Sequence, residues 1–369
     1  MKKGIIIFIV ILILALGGLY GYMTNPFIQE KIASITEEDF SEENIYSDLE
    51  NLSVRLDEEI MNGEESFTVY LKDMDLSAID QINDSLSGVY GSGTTYQQVG
   101  AIGDTYKKVT ITVGRTTNYY AVKAYLNQEP IPATEQKAQQ LYQVICQVMA
   151  NYVDESMTDF EKEIAIHDYL VKNCRYSEDT TQPSGSDIFR AYGALVNKDA
   201  VCNGYAEALH ILFTCAGLET QFVVGTADGV DHAWNLVQLD GEWYHLDATW
   251  NDPVPDQKNT AIHAYFNVPD DIMSVTHVWE QERYPKARSM DYNYYAYHNL
   301  YFDNFMLCKD NAYTSMVTNK NDWYEAAVKN YVENENDMQF VFENNNMYES
   351  VSWKMLGSGE YCVLVIEAD

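Results

Sequence analysis

Apolar residues recur at helical spacing in the middle of the chain and alternate with polar residues towards both ends. The helical spacing predicts helices over 76–86, 135–152, 159–174, 188–195, 202–217 and 322–332. The alternation predicts strands over 67–72, 107–113, 119–126, 220–225, 232–239, 242–249, 338–342 and 361–367. Because the central helices are followed by an antiparallel run of strands, the pattern predicts an α+β fold.

Changes in composition along the chain predict four segments. Residues 1–29 are mostly apolar, and 30–130 form a predicted small mixed α/β domain that ends in a proline-containing linker at 130–132. Residues 131–289 carry the central helices and strands and are the predicted core. Residues 290–369 are rich in Tyr and Asn and form a predicted C-terminal α+β extension.

The N-terminal segment predicts a membrane helix. Lys2 and Lys3 precede an aliphatic run over 5–16, and no charged residue occurs over 4–29, which is long enough to cross a bilayer. The two lysines place this end in the cytoplasm, so we expect a single-pass cell-membrane protein whose remaining chain is extracytoplasmic. The alternative is a cleaved signal peptide and a secreted protein, with a poor cleavage site at 15–17.

Charge and cysteine usage exclude several classes of function. The formal net charge is −33, so nothing could neutralise phosphates and nucleic acid is excluded as a partner. The six cysteines form no CxxC pair and no grouping with metal-finger spacing. The sequence therefore predicts no metal site and no cofactor. The 29 tyrosines suit packing on half-buried sheets.

Cys202 lies at the start of the third long predicted helix. Unpaired backbone N–H groups and the positive end of a helix favour thiolate over thiol at such a position. Gly204 removes side-chain bulk beside the thiol, which we expect to let a substrate backbone approach. Taken alone, Cys202 also fits an ordinary buried cysteine at a helix start.

A predicted hairpin supplies partners for a thiol. Asp240-Gly241 predicts a two-residue turn, so that paired residues on its two strands have numbers that sum to 481. His232 and Asp247 are then diagonal neighbours on one face, within about 7–8 Å at the backbone. The carboxylate would fix the tautomer of the imidazole and stabilise its cation. His245 shares this face, so the spacing leaves both histidines open, although His232 is nearer the open end of its strand.

The other histidines have weaker patterns. His167 is predicted to be structural, and no partners are predicted for His210, His263, His277 and His298. A metal-dependent hydrolase that uses His232, His245 and Asp247 is a further interpretation of the same residues.

Three blocks of sequence, in this order, resemble the core of the transglutaminase-like superfamily. They are 201–206 (VCNGYA), 232–235 (HAWN) and 243–250 (WYHLDATW), and the upstream stretches 160–176 and 192–195 are similar to bacterial members. The resemblance covers roughly 155–285 and implies a papain-like arrangement of helices packed on an antiparallel sheet. It implies that Cys202 is the nucleophile, His232 the base and acid, and Asp247 the orienting group. It therefore selects His232 over His245.

The resemblance leaves the oxyanion site open. Animal transglutaminases use an upstream Trp or Tyr there, and no motif of this chain matches that residue. The Cys202 backbone N–H is one expected donor, and Tyr192 and Trp234 are the candidate side chains for substrate or oxyanion binding. The chain lacks the acidic calcium loops of those enzymes, so we expect no calcium requirement.

The expected function is thiol-dependent acyl transfer, either hydrolysis or transamidation of amide bonds in proteins or cell-wall peptides. The expected partners are therefore a protein or peptide substrate and, through the N-terminal helix, the membrane. The alternative hypothesis is a catalytically silent extracytoplasmic binding or adhesion module on the same fold, because fold does not dictate function.

Overall fold

The computed structural model divides the chain into two compact units, 1–87 with 92–114 and 88–91 with 115–369. The predicted anchor over 1–29, nearly all of the predicted helix over 76–86 and the predicted strand over 338–342 lie outside the described residues. Within the described part of the chain, no helix is long and apolar enough to span a bilayer. The structure describes residues 45–47, 52, 59–74, 76, 89–102, 106–179, 181–183, 185–253, 260–332, 348, 350–358 and 360–368.

A four-stranded sheet in the order β1-β2-β4-β3 makes up most of the described part of the first unit. Val69 of β2 lies opposite Val109 of β4 in an antiparallel pair, and both side chains are buried. The strands predicted over 67–72 and 107–113 are thereby confirmed. The four strands are β1 (Ile45–Tyr46), β2 (Ser66–Lys72), β3 (Gly91–Ile102) and β4 (Tyr106–Arg115).

Four helices open the second unit, and three of them were predicted. The third begins with a capping box, in which Thr158 and Glu161 exchange side-chain and backbone hydrogen bonds. The fourth ends at Gly217, whose φ of 80° is the left-handed conformation typical of a helix C-cap. The helices are α1 (Thr117–Asn127), α2 (Gln136–Tyr152), α3 (Asp159–Asn173) and α4 (Cys202–Ala216).

Helix α1 corrects the strand predicted over 119–126. The Thr116 side chain accepts a hydrogen bond from the Tyr119 backbone N–H and so caps a helix. The four consecutive residues 121–124 are buried, whereas a strand on one face of a sheet would bury alternate residues. The prediction was wrong because burial by α2 and α4 outweighs the preference of the aromatic residues for strands.

A five-stranded antiparallel sheet follows, in the order β10-β9-β8-β7-β11, and α4 packs across β7 and β8. Its first three strands were predicted, and so was the α+β order of helices before strands. The short helix α5 (Asp270–Met273) joins its last two strands. The strands are β7 (Thr220–Ala227), β8 (Val230–Leu239), β9 (Glu242–Leu246), β10 (Phe266–Val268) and β11 (His277–Trp279).

The described C-terminal residues form a second antiparallel sheet with one parallel edge pair, in the order β12-β13-β15-β14. The strand predicted over 361–367 is confirmed. The helix predicted over 322–332 is wrong, because 323–328 form strand β13. The elements are α6 (Tyr294–Tyr297), β12 (Tyr301–Phe302), α7 (Phe305–Tyr313), β13 (Trp323–Val328), β14 (Val351–Ser358) and β15 (Tyr361–Ala368).

This C-terminal sheet has two buried faces. Tyr324, Ala326 and Val328 of β13 pack with α7, whereas Ala327 belongs to the cluster that contains Trp234 of the five-stranded sheet. Alternate residues of β13 therefore pack into two different cores. Because both faces of the strand carry apolar residues, its sequence lacks the polar–apolar alternation of a strand with one buried face. One face of the C-terminal sheet shares its core with the five-stranded sheet.

Candidate active site

Cys202 is the first residue of α4. Its preceding residue, Val201, has extended backbone and provides no side-chain cap, and the first turn contains no acidic residue. The N–H groups and the positive end of the helix therefore remain directed at the region of the thiol. Cys202 and Cys146 are half-buried, whereas the other four thiols are buried.

The role of Gly204 in the structure differs from the expected one. A Cβ at this position would lie 2.7 Å from the Ile188 carbonyl oxygen and 2.9 Å from the Ala200 Cβ. The glycine thus lets the first turn of α4 pack against the segment before it, and does not make room for a substrate backbone. That segment was predicted as a helix over 188–195; it forms a 3₁₀ turn and a π-helical turn instead.

The β8–β9 hairpin has the predicted turn and register. Asp240 and Gly241 both have positive φ, 50° and 84°, as a two-residue type I′ turn requires. Every pair in the ladder has numbers that sum to 481, up to Asn235 opposite Leu246. The ladder ends there, one residue before Asp247, whose N–H instead bonds to the carbonyl of Tyr265.

His232 and Asp247 meet beyond the end of this ladder. The His232 Nε2 lies 2.7 Å from Asp247 Oδ2, and both side chains are almost fully buried. Burial lowers the pKa of His232, but the charge and hydrogen bonds of Asp247 and the interaction with Cys202 raise it to about 10. His232 is therefore a cation at neutral pH. Because Nε2 faces Asp247, Nδ1 is the ring nitrogen left for the thiol.

The Asp247 carboxylate has four partners. Oδ2 also accepts a hydrogen bond from His277 Nε2 at 3.1 Å, and Oδ1 accepts from the backbone N–H groups of Thr249 at 2.9 Å and Trp250 at 3.2 Å. Burial raises the pKa of Asp247, but His232 and His277 hold it well below its usual range. The carboxylate is thus ionised and fixed in orientation. His277 was not predicted, because it comes from β11 at the other edge of the sheet.

Trp234 and His245 lie behind His232 and outside the cavity lining. Trp234 is buried and stacks on His232 with ring centroids 6.0 Å apart and an angle of 24°. Its Nε1 donates to His245 Nδ1 at 3.0 Å, and His245 Nε2 donates to Asp270 Oδ1 at 2.9 Å. Trp234 therefore has no N–H left for an oxyanion. His245 contacts Trp234 and Asp270 and is not the partner of Asp247.

Tyr192 does not line the cavity that Cys202 lines, and its hydroxyl donates to the Gln140 side chain. Tyr176 takes its place in the cavity wall beside Cys202. Burial raises the pKa of Tyr176, and the charges of Cys202 and Asp247 raise it further. The signal that could have identified Tyr176 is its position in the chain. Tyr176 ends β5 (Arg175–Tyr176), which pairs with β6 (Asp199–Ala200) just before Cys202.

A cavity of about 420 Å³ opens over these groups. Its wall combines aromatic and aliphatic side chains with a few charged groups. Two of the lining residues, Lys354 and Leu356, come from β14 of the C-terminal sheet. The lining residues are Tyr176, Cys202, Ala227, Val230, Asp231, His232, Thr249, Trp250, Asp252, Pro253, Ile262, Lys354 and Leu356.

A family model described as the transglutaminase-like superfamily matches residues 132–248, about a third of the chain. The chain carries a transglutaminase-like domain. Kyphoscoliosis peptidase of Mus musculus is 24% identical over 133 residues, which cover 33% of this chain and 20% of that protein. Its Homo sapiens counterpart is 26% identical over 122 residues, 30% of this chain and 18% of that protein. The matched region thus spans about a fifth of these relatives.

Among solved structures, one described as a TGase is 14% identical and covers 58% of this chain and 60% of that chain, with a TM-score of 0.28. So low a score carries no structural argument. The fold itself is a mixed arrangement of helices and sheets, as predicted for the transglutaminase-like core.

A second group of histidines and carboxylates lies in the same unit and extends beyond the matched residues 132–248. Asp168 Oδ1 accepts hydrogen bonds from His167 Nδ1 at 3.1 Å and from His263 Nε2 at 2.9 Å. His263 Nδ1 donates to Glu325 Oε1 of β13 at 2.7 Å. Burial lowers the pKa of His263, but Glu325 and Asp168 raise it to about 9. The group thus joins α3 to the C-terminal sheet, and the structural role expected for His167 fits it.

Asn251 connects this second group to the loop that follows Asp247. Its Nδ2 donates to His167 Nε2 at 3.0 Å, and its Oδ1 accepts from the Tyr265 backbone N–H at 2.8 Å. Burial lowers the pKa of His167, so its ring is neutral and can accept at Nε2. The second group therefore helps to hold the loop that carries the first.

Both groups have the donor atoms that a metal ion could use. The ligand atoms of His232, Asp247 and His277 lie within 4.8 Å of one another, and so do those of His167, Asp168 and His263. In both, the histidine N–H groups already bond to a carboxylate, so the donors satisfy one another. The metal set considered from the sequence included His245, and the structure does not bring that residue to Asp247.

Proposed function

We propose that this protein is a thiol-dependent acyltransferase or amide hydrolase whose nucleophile is Cys202. The observation that carries the proposal is the meeting of three features at one cavity. They are a thiol at an uncapped helix start, an imidazole held cationic, and a buried carboxylate that orients it. A cationic imidazole beside a thiol is the arrangement that supports a thiolate nucleophile.

The proposed reaction proceeds through a thioester. The Cys202 Sγ forms a bond to the carbonyl carbon of an amide, and the carbonyl π electrons move to its oxygen. When the tetrahedral intermediate collapses, the C–N bond breaks and the His232 Nδ1 proton goes to the leaving nitrogen. His232 then takes a proton from water or from an amine, which attacks the thioester and releases Cys202. Asp247 keeps the imidazole in the required tautomer throughout.

The oxyanion of this intermediate would be bound by the Cys202 backbone N–H and the Tyr176 hydroxyl. Tyr176 lines the cavity beside the thiol and carries a hydroxyl donor, and so takes the place of the Tyr192 and Trp234 expected from the sequence. We expect Tyr176→Phe to lower kcat by about 10²-fold, the usual cost of one oxyanion donor. An unchanged kcat would exclude this role.

Labelling by a thiol-reactive amide mimic tests the nucleophile directly. Cys146 provides a matched control, because it is the other half-buried thiol and lies outside the cavity lining. We expect Cys202→Ala to abolish labelling and Cys146→Ala to preserve it. Labelling that survives Cys202→Ala would refute the proposal and favour a catalytically silent binding module, for which ligand binding should also survive this change.

The proposed substrates are proteins or cell-wall peptides, and hydrolysis and transamidation differ only in the second nucleophile. An intact-mass time course with Gln-bearing and cell-wall peptides, with and without a primary amine, separates the two. Incorporation of the amine indicates transamidation, and addition of water alone indicates hydrolysis. Absence of both, with every peptide and with labelling intact, would contradict the proposed substrates.

We further propose that residues 1–29 anchor the protein and place the domain outside the membrane. The support is the uncharged apolar run behind Lys2 and Lys3. The measurement is membrane fractionation followed by external proteolysis of intact cells. Release into the medium of a chain that lacks the N-terminal segment would favour the cleaved alternative, and protection from the external protease would contradict the orientation.

A further inference from the structure

Lys354 brings a cation from the C-terminal sheet to the active-site cavity. It lies on β14, the edge strand of the sheet in its described part, and lines the same cavity as Cys202 and His232. Side chains of β14 alternate: Trp353 and Met355 pack towards α7, whereas Leu356 packs towards the five-stranded sheet. The alternation places Lys354 on the face that meets the transglutaminase-like core.

Among the residues that the structure describes, this cation has no close anionic partner. Among the described residues Lys354 forms no hydrogen bond or ion pair, and Glu367 acts on it only at longer range. Lys354 is half-buried, and this burial lowers the pKa of its ammonium group. A partly desolvated ammonium gains when an anion binds to it.

The surrounding charges make this position distinctive. His232 and Lys354 are the basic groups among the described residues that line the cavity, and Asp231 and Asp252 are the acidic ones. The whole chain carries a formal charge of −33, so an anionic substrate is repelled at most of the surface. Asp252 already accepts a hydrogen bond from the Tyr205 hydroxyl. Lys354 is therefore the group at which a substrate carboxylate could be bound.

We propose that Lys354 binds a carboxylate of the substrate, so that the cavity selects peptides with an acidic residue or a free carboxylate close to the reacting amide. This inference rests on the proposed function, because it concerns the same cavity. A cavity of about 420 Å³ accommodates only a small part of a peptide. The selected carboxylate thus lies within a few residues of the carbonyl that Cys202 attacks.

Matched peptides test the selection. Each pair contains Asp or its neutral isostere Asn at one position near the reacting amide, and kcat/KM is measured for both. We expect the wild-type protein to favour Asp by about tenfold at one position, the value of one charge-assisted hydrogen bond. Lys354→Met should bring this ratio close to one, and Lys354→Glu should reverse it and favour Lys at the same position.

Lys329→Met is the matched control. Lys329 directly follows β13, is half-buried, pairs with Asp303 and lies outside the cavity lining, so its loss changes the net charge equally. The control should retain the wild-type ratio. The inference is overturned if the wild-type protein shows no preference for Asp at any position, or if both lysine variants change the ratio equally.

A second readout does not require turnover. Iodoacetate and iodoacetamide alkylate the same thiol and differ in one carboxylate, so their rate ratio at Cys202 reports the attraction of an anion. We expect this ratio to fall severalfold in Lys354→Met and Lys354→Glu and to stay unchanged in Lys329→Met. An unchanged ratio in both Lys354 variants overturns the inference and leaves the proposed function standing. A changed ratio without turnover of any peptide supports Lys354 and counts against the proposed function.

Discussion

In two regions of the second unit an aspartate binds two histidines. At the candidate active site, Asp247 Oδ2 bonds to His232 and His277, and near the C-terminal sheet, Asp168 Oδ1 bonds to His167 and His263. In both regions the histidines are buried and the carboxylate has a pKa held below its usual range. The local groups are therefore nearly the same.

The two regions differ in what lies beyond the histidines. His232 faces a half-buried thiol and a cavity, whereas His263 faces the buried carboxylate of Glu325. A cationic imidazole next to a thiol can transfer a proton to a reacting group, but one between two carboxylates is stabilised in place. Under the proposed function, reactivity thus depends on whether the imidazole faces a thiol and a cavity. The aspartate–histidine grouping by itself is not sufficient.

The largest expected difference concerns the two aspartates. Asp247→Asn should lower kcat by about 10³–10⁴-fold, because the imidazole loses the charge that orients and stabilises it. Asp168→Asn should lower kcat by less than about tenfold and act mainly on stability. The measurements are steady-state kinetics on variants whose folding is checked by circular dichroism. If both variants lost the same kcat, the second group would affect the reaction as strongly as Asp247 does, through the hydrogen bond between His167 and Asn251.

The next effect is on the free energy of unfolding. Glu325→Gln should lower it by about 3 kcal/mol, because His263 would keep a buried charge without its main partner. Urea denaturation measures this change. The double variant His263→Gln with Glu325→Gln removes both charges and should recover part of the loss. A double variant no more stable than the single one would contradict the ion-pair explanation.

The second group should also make stability depend on pH. The folded-state pKa of His263, about 9, lies above its ordinary value of about 6.5, so its contribution is complete below about pH 6.5 and is lost as the pH rises through 9. We expect the stability difference between the wild type and His263→Gln to shrink over this range by on the order of 2 kcal/mol. A difference that is constant from pH 6 to 10 would be contrary evidence.

The smallest effect should come from His277, the second partner of Asp247. His277→Phe removes one hydrogen bond to a charged group, and we expect kcat to fall about tenfold. His277→Gln keeps an N–H donor and should restore most of the rate. Equal losses in both variants would contradict this role, because the amide N–H of Gln would then not replace the imidazole N–H that bonds to Asp247.

The sequence predicted the parts of the site that depend on local signals. The Asp240-Gly241 turn fixed the register of β8 and β9, and the start of α4 placed Cys202 at an uncapped helix end. The residues that were missed reach the site through sheet order. His277 comes from an edge strand of the five-stranded sheet, and Lys354 from a different sheet far along the chain. No short-range pattern reports such pairings.

The errors in secondary structure have the same physical origin. The segment 119–126 contains three tyrosines, and 322–332 combines apolar residues with no clear period. In both, burial against distant elements determined the outcome: α2 and α4 for the first, and two cores at once for the second. Predicted domain boundaries at 130 and 289 stay predictions.

The core shared by the C-terminal sheet and the five-stranded sheet has a consequence for ancestry. The stretch that the family model recognises ends at residue 248, before His263, His277, Glu325 and Lys354. The matched stretch is therefore shorter than the part of the chain that contributes to this shared hydrophobic core. In this chain, residues beyond that stretch complete the wall of the cavity, among them Trp250, Ile262 and Lys354. Diversification of specificity could then proceed by exchanging the adjoining sheet while the thiol and its histidine stay unchanged.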